Sequence, residues 1–416
     1  MNLKSSPFAP DTFPDLPTVK GVKAATASRG FYAERGIERD DVFLFSFAEN
    51  TTCAGVFTRS STASADVQWC REALDSGSGL ARALVVNSGN SNAFTGPKGK
   101  DKNDQTIIAM VESLSVSPDQ CFLAATGVIG EPLPDPNYVG SIVPDMAAKL
   151  KAPDWEACAR AFMTTDTYPK GASATCEIEG QTVTLSGIAK GSGMVAPNMA
   201  TMLAYVFTDA AISQPVLNKL LREAANKSFN AITVDSDTST SDTLMVFATG
   251  QSGAPMISTN DDPNLQPFAD ALNQICLDLA LQVVKDGEGA SKFITVEIEG
   301  ADDDTIARQL AADVANSPLV KTALAASDAN WGRVIMALGK SGLPIDQNAL
   351  KIWFGETLVA EQGARAESYD EAAASAECAK PEITIRAQVG AGSGGATLYT
   401  CDLTHAYVDI NGAYRT

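Results

Sequence analysis

A mixed α/β fold with layered sheets is predicted by the sequence, on three observations. Short apolar runs of buried-strand character recur along the chain, at Ala83-Leu84-Val85-Val86, at Cys121-Phe122-Leu123-Ala124-Ala125 and from Met202 to Phe207. Segments of helical periodicity alternate with these runs, the pattern expected when helices cover sheets. The composition, 45% hydrophobic and 19% charged over 416 residues, is that of a globular protein long enough for more than one core, so two domains is the natural division.

In chain order, the run Ala83–Val86 ends in the polar, glycine-bearing turn Asn87-Ser88-Gly89-Asn90. Asp104 to Leu114 reads as an amphipathic helix, and Cys121–Ala125 as a strand that exits at Thr126-Gly127. Gln214 to Asn226 is a second helix, with Ser213 placed as its N-cap. The segment Asp235-Ser236-Asp237-Thr238-Ser239-Thr240-Ser241-Asp242 lacks the glycine and the glutamate of an EF-hand loop. It reads as a solvated loop, with a polar loop beside an active site as the other reading. Glu382 to Val389 and Ala396 to Leu403 read as the two strands of a hairpin around Gly390-Ala391-Gly392-Ser393-Gly394-Gly395. That glycine run is not a phosphate loop, because a strand and not a helix follows it. Thr404 to Asp409 alternates in the manner of a strand.

The composition also excludes function classes. A formal charge of −19 argues against nucleic acid, which requires a basic surface. No apolar run is long enough for a membrane helix, and the first residues carry no signal-peptide core, so a cytoplasmic location is expected. Eight cysteines without a Cys-x-x-Cys pair read as small buried hydrophobes, and no metal site is expected. His405 is the only histidine and reads as structural, which nearly removes histidine-dependent triads and the common histidine zinc sites.

The most informative stretch is Lys190-Gly191-Ser192-Gly193-Met194-Val195-Ala196-Pro197-Asn198-Met199-Ala200-Thr201-Met202-Leu203, an irregular loop that runs into a buried strand. If the Ala200–Thr201 bond were cut, Thr201 would carry a hydroxyl and an α-amine on neighbouring carbons. An α-amine titrates at about 7.7–8.0, so it can act as base for its own hydroxyl near neutral pH. The plainer alternative is a loop feeding a core strand, with Thr201 half-buried.

This stretch closely resembles the maturation site of the ornithine acetyltransferase family, whose precursors cut themselves before the threonine of an Ala-Thr-Met-Leu sequence. Four further segments match the family's pattern: Asn87 to Gly96, Ala125 to Gly130, Lys285 to Phe293 and Val408 to Thr416. Met163 to Thr167 and Ala329 to Arg333 agree as well, while Ser91 and Gly412 stand where other small or polar residues are expected. The resemblance implies an αββα sandwich with a smaller C-terminal domain, the two divided near residue 290 (1–290 and 291–416). It implies cleavage into an α chain, 1–200, and a β chain, 201–416, assembled as an α2β2 heterotetramer.

By the same resemblance Thr201 is the nucleophile and Thr126 and Gly127 form the oxyanion hole. Thr164, Lys190, Thr201, Glu288, Asn411 and Thr416 correspond to substrate-binding positions. The chemistry fits the residue types: fixed donors stabilise the carbonyl oxygen of an acyl transfer, a lysine can hold a substrate carboxylate, and a carboxylate such as Glu288 suits an ammonium. The implied reaction is ping-pong transfer of acetyl from N2-acetyl-L-ornithine to L-glutamate in arginine biosynthesis. No cofactor is implied. Acetyl-CoA serves many members as co-substrate, and the sequence leaves bifunctional and monofunctional readings open. The rivals are a self-processing amidohydrolase or aminopeptidase of the same nucleophile type, and a binding protein that stays uncut. The chain's last residues, Ile410 to Thr416, form a motif and not a polar tail, so that end is expected to be docked, and the resemblance implies that it is docked in the active site.

Overall fold

The strand Val42–Phe47 (β2) shows why this chain must build layers. Its residues are buried on both faces, and alternate side chains go to different cores. Phe43, Phe45 and Phe47 point to one side, Val42 and Leu44 to the other. A strand apolar on both faces must be covered twice, once by another sheet and once by helices.

The computed structural model describes residues 4–196 and 202–413. The first part of the chain runs through β1 (Val22–Ala27), β2 (Val42–Phe47), β3 (Thr52–Phe57), α1 (Ala65–Ser76), β4 (Ala83–Asn90), α2 (Pro97–Leu114) and β5 (Cys121–Val128). It continues through α3 (Val143–Ala147), α4 (Trp155–Ala161), β6 (Lys170–Ile178), β7 (Gln181–Lys190), β8 (Leu203–Thr208), α5 (Gln214–Lys227), β9 (Thr243–Ala248) and α6 (Leu265–Lys285). Four strands form one sheet in the order β1-β2-β4-β5, and five form a second in the order β3-β9-β8-β7-β6. The sheets pack face to face through aromatic rings: Phe45 stacks on Phe207 and Phe47 on Phe247, each pair with centroids 4.4 Å apart. On the outer faces α2 and α3 cover the first sheet with Ile107, Met110, Val143 and Met146, and α5 and α6 cover the second. Helix α1 and helix α4 add Val67, Cys70, Trp155 and Cys158 to the core between the sheets. The layers are therefore α, β, β, α, as the family resemblance implies.

The remainder comprises β10 (Phe293–Ala301), α7 (Asp304–Ala315), α8 (Pro318–Ala325), α9 (Trp331–Gly339), β11 (Lys351–Phe354), β12 (Thr357–Glu361) and β13 (Ala364–Arg365). It ends with α10 (Glu371–Cys378), β14 (Glu382–Gln388), β15 (Gly394–Cys401) and α11 (His405–Ala413). Its six strands form a third sheet, β13-β12-β11-β14-β10-β15, with a separate core that includes Val296, Leu310, Val314, Ile352 and Ile385.

Two sequence expectations need correction, and a third holds in position only. The strands expected as a hairpin exist as β14 and β15 but do not pair, because β10 lies between them, parallel to β14 and antiparallel to β15. The glycine run crosses the end of β10: Gly392 donates to the Gly300 carbonyl, and a Cβ on Gly300 (φ +75°) would lie 2.3 Å from the Gly390 oxygen. Only glycine permits that crossing. The strand-like stretch at Thr404 is the start of helix α11, and His405 is exposed on its first turn. Asp402 causes the change by accepting the Ser291 and Lys292 N–H groups at 2.8 and 2.9 Å, which turns the chain out of the sheet where Thr404 can bond Gly289. Ser213 stands at the N-cap of α5, but its hydroxyl bonds the Ser258 carbonyl and caps nothing. Among the described residues no helix is long and apolar enough to cross a membrane.

Candidate active site

The candidate residues gather where strand ends of the two facing sheets meet. In the second sheet Lys190, the last residue of β7, pairs with Leu203 at the start of β8, which pairs with Thr243 at the start of β9. In the first sheet β4 and β5 run parallel and finish beside each other, with Ser88 opposite Thr126 and Gly89 opposite Gly127. Gly127 (φ +130°) has no room for a side chain, since a Cβ there would lie 2.4 Å from the Gly89 carbonyl carbon. Lys190 is thus a strand residue and not part of the loop that follows.

The Lys190 ammonium crosses between the sheets, donating to Thr164 Oγ1 at 2.9 Å and to Thr126 Oγ1 at 3.3 Å. A hydroxyl that accepts from an ammonium keeps its own proton free to donate, so Lys190 orients Thr126 and Thr164 as donors. Burial pulls the Lys190 ammonium below the ordinary lysine value, and Asp166, 4.0 Å away, opposes that pull.

Asp166 is the organiser beneath. It accepts from Gly191 N at 2.7 Å, from Thr164 N at 3.0 Å and from Lys170 Nζ at 2.7 Å. Lys170, fully buried, also reaches Asp286 at 2.6 Å, and Asp286 in turn accepts from the Thr167 N–H. Burial pushes the Asp166 carboxyl up, but the charges of Lys170 and Lys190 outweigh it and hold the group well below the usual range.

Glu288 faces the cleft from the turn after α6. Its backbone N–H bonds Ser192, and its Oε2 accepts from Asn411 Nδ2 of α11 at 2.6 Å. Burial raises its carboxyl, while bonds from Thr165 and Asn411 act the other way. Gly193 lies so near that a Cβ there would fall 2.4 Å from the Glu288 carboxylate. Thr126, Gly127, Thr164, Lys190, Glu288 and Asn411 all line one cleft. Ala200, Thr201 and Thr416 lie outside the described residues.

The segment Asp235–Asp242 was expected to be a solvated loop, and that is corrected. Only 236–238 are exposed, while Ser239, Ser241 and Asp242 are buried and Ser239 to Ser241 line the cleft. Asp235 accepts from Met194 N at 2.6 Å, from Val195 N at 2.9 Å and from the Tyr407 hydroxyl at 3.2 Å. Asp242 accepts from Met202 N at 3.1 Å. One loop therefore grips the chain at 194–195 and again at 202.

Sequence reading passed over Asp166, Lys170, Asp235, Asp242 and Asp286. A signal existed for three of them. Asp166 and Asp286 lie inside the Met163–Thr167 and Lys285–Phe293 segments already singled out, and Asp242 directly precedes the wholly buried strand β9. Among the described residues no group of three or more His, Cys, Asp or Glu side chains is arranged to hold a metal ion.

Comparison with known proteins places this geometry. A sequence model described as the ArgJ family matches residues 24–416. The chain is 50% identical to the arginine biosynthesis bifunctional protein ArgJ of Agrobacterium fabrum over 419 aligned positions, covering all of both chains. It is 50% identical to the protein of the same name from Rhizobium meliloti over 414 positions, covering 99% of each. Among solved structures, that of the arginine biosynthesis bifunctional protein argJ from Bacillus halodurans is 39% identical, with a TM-score of 0.49, over 50% of this chain and 98% of that one.

Proposed function

Because this chain belongs to the ArgJ family, we propose that it is an acyltransferase of arginine biosynthesis that moves an acetyl group from N2-acetyl-L-ornithine to L-glutamate. The observation that carries the reading is the Lys190 ammonium bonded to both Thr126 and Thr164 across the strand ends, opposite the Glu288 carboxylate. That arrangement offers donors to an acyl oxygen and a carboxylate to an amino-acid ammonium in one cleft.

The chain first cuts itself between Ala200 and Thr201, giving chains 1–200 and 201–416 that assemble as an α2β2 heterotetramer in the cytoplasm. The catalytic part extends to about residue 290, and 291–416 form the C-terminal domain that returns α11 to the cleft. Thr201 Oγ then attacks the acetyl carbonyl, with its own α-amine accepting the proton. Thr126 and Gly127 hold the oxyanion; Thr164, Lys190, Glu288, Asn411 and Thr416 hold the amino acid. Ornithine leaves with the proton, acetyl-threonine remains, and the glutamate amine takes the acetyl group. Acetyl-CoA is a second donor, and no cofactor takes part.

Intact mass under denaturing conditions tests the first step: two fragments meeting at Ala200/Thr201 are expected, and a Thr201→Ala protein that still splits there overturns it. The cleaved protein is then given acetylornithine with and without glutamate. Acetylglutamate formed faster than free acetate supports the transferase, whereas acetate release indifferent to glutamate indicates a hydrolase.

A further inference from the structure

The cleft around Lys190 and Glu288 contains no arginine, yet three arginines meet elsewhere on the protein. Between α1 and α5 a second cleft, of about 490 Å³, opens over β3, the edge strand of the five-stranded sheet. That volume lies in the range of small-molecule sites. Arg59 enters it from just beyond β3, Arg71 from α1 and Arg222 from α5. Helix α5 turns Gln214, Asn218, Arg222 and Asn226 toward it, a spacing of four that places them on one face. The two clefts share no lining residue.

The three guanidinium charges are not neutralised. The chain has 50 acidic residues against 31 lysines and arginines, and other surface arginines have found carboxylates. Arg160 pairs with Glu156 at 2.6 Å and Arg82 with Glu49 at 3.8 Å. Among the described residues Arg59, Arg71 and Arg222 form no ion pair, and Asp75, the single carboxylate in the lining, pairs with none of them. Two of the three are held by neutral acceptors instead: Arg71 donates to the Thr58 carbonyl, and Arg222 Nε to Asn218 Oδ1 at 3.4 Å. A guanidinium has five N–H donors, so each is positioned with its charge intact and most donors free. The end of α5 that would repel an anion is covered, because Arg308 donates to the Asn226 carbonyl at 3.2 Å and to the Asn230 carbonyl.

We propose that this cleft binds a small anion carrying a diphosphate, held by Arg59, Arg71 and Arg222. The planar guanidinium fork matches phosphate oxygens two at a time. A lone carboxylate can engage one such fork, whereas a diphosphate presents enough oxygens for all three. Val56, Phe57 and Leu74 line the remaining wall and offer an apolar surface to an organic portion. The strongly acidic chain repels anions at long range, so binding here depends on this local arrangement and not on overall charge.

The test is isothermal titration calorimetry on the full chain as purified, without divalent cations, using pyrophosphate, adenosine diphosphate and citrate as probes. Pyrophosphate and adenosine diphosphate should each bind at one site per chain, and the tighter of them tells whether the apolar wall takes part. Citrate, a carboxylate polyanion, should bind more weakly by about tenfold or more. Arg59→Gln and Arg222→Gln alter exposed side chains, and an unchanged unfolding midpoint verifies their fold. Each should weaken pyrophosphate by about tenfold or more. Lys219→Gln removes a charge from α5 outside the cleft and should weaken it by less than about twofold. Arg71 is left in place because it also holds Thr58. No binding at about 5 mM pyrophosphate overturns the proposal. So does citrate binding as tightly as pyrophosphate, or a Lys219→Gln loss equal to that of Arg222→Gln. The readout is binding alone, so the result stands whether or not the chain cuts itself or transfers acetyl.

Discussion

Gly193→Ala isolates the contribution of Glu288 without touching Glu288. The backbone at 193 is not left-handed, so alanine is conformationally allowed there. The obstacle is a contact: the new Cβ would stand 2.4 Å from the Glu288 carboxyl carbon and Oε2 and 2.7 Å from Oε1, closer than any real packing. The carboxylate must therefore swing away from Asn411 and from any ammonium it holds. A hydrogen bond to a charged group is worth about 1.5–3 kcal/mol. Losing one to substrate lowers kcat/KM by roughly 10- to 150-fold at about 1.4 kcal/mol per decade. The assay is acetyl transfer from acetylornithine to glutamate, on protein whose cleavage has been verified by mass. A double-mutant cycle with Glu288→Ala supplies the control, because alanine at 193 should cost almost nothing once the carboxylate is gone. A Gly193→Ala enzyme with wild-type kcat/KM, or one whose defect survives the removal of Glu288, refutes the reasoning.

Three further outcomes are expected. Lys170→Met leaves the buried Asp286 without its cation and Asp166 with only Lys190 at 4.0 Å, at a cost of about 3–5 kcal/mol in denaturant unfolding. Without Lys170 the folded-state pKa of Asp166 rises and that of Asp286, already raised by burial, rises further, so stability falls as pH rises through that range, and the deficit should be larger at about pH 8 than at about pH 5. Phe45→Ala removes a ring stacked on both Trp155 and Phe207, and should cost about 3–5 kcal/mol, read from the shift in unfolding midpoint. The seven buried thiols should be inert to a disulfide reagent in the native state, since burial pushes Cys70, Cys121 and Cys276 to about 12, with all eight reacting after denaturation. Rapid native labelling at more than the half-buried Cys176 would contradict that packing.

The layers were legible because strands buried on both faces leave a continuous apolar run, and β4, β5 and β8 stand out for that reason. The pairing of β14 with β10 was not, because a strand inserted between two sequence neighbours leaves no local mark beyond the glycines that let it pass. Thr126, Gly127, Lys190 and Glu288 emerged from motif resemblance, and the structure brings them to one cleft. Asp242 was misread for a general reason. An eight-residue stretch of Asp, Ser and Thr looks solvated by composition, yet its far end is drawn into the core by Met202 N–H and Thr58 N–H. Local polarity cannot reveal which donors from distant segments will surround a carboxylate. The same holds for Lys170, whose partner Asp286 is far along the chain.

The cleft depends on the C-terminal part of the chain as well as on the sandwich. Asn411, which fixes Glu288, is carried by α11, and α11 is seated through two contacts close to Glu288. Thr404 Oγ1 donates to the Gly289 carbonyl at 2.7 Å, and the left-handed Gly289 (φ +73°) lets the helix approach until a Cβ would meet Tyr407 N at 2.6 Å. Tyr407 then reaches Asp235, the carboxylate that grips Met194 and Val195. A single helix thereby bears on both the Glu288 carboxylate and the chain at 194–195. A side chain at Gly289 would lift that helix and disturb both functions together, whereas alanine at Gly193 disturbs only the first. The two glycines separate the position of the Glu288 carboxylate from the position of the chain at 194–195, although both lie beside the same glutamate.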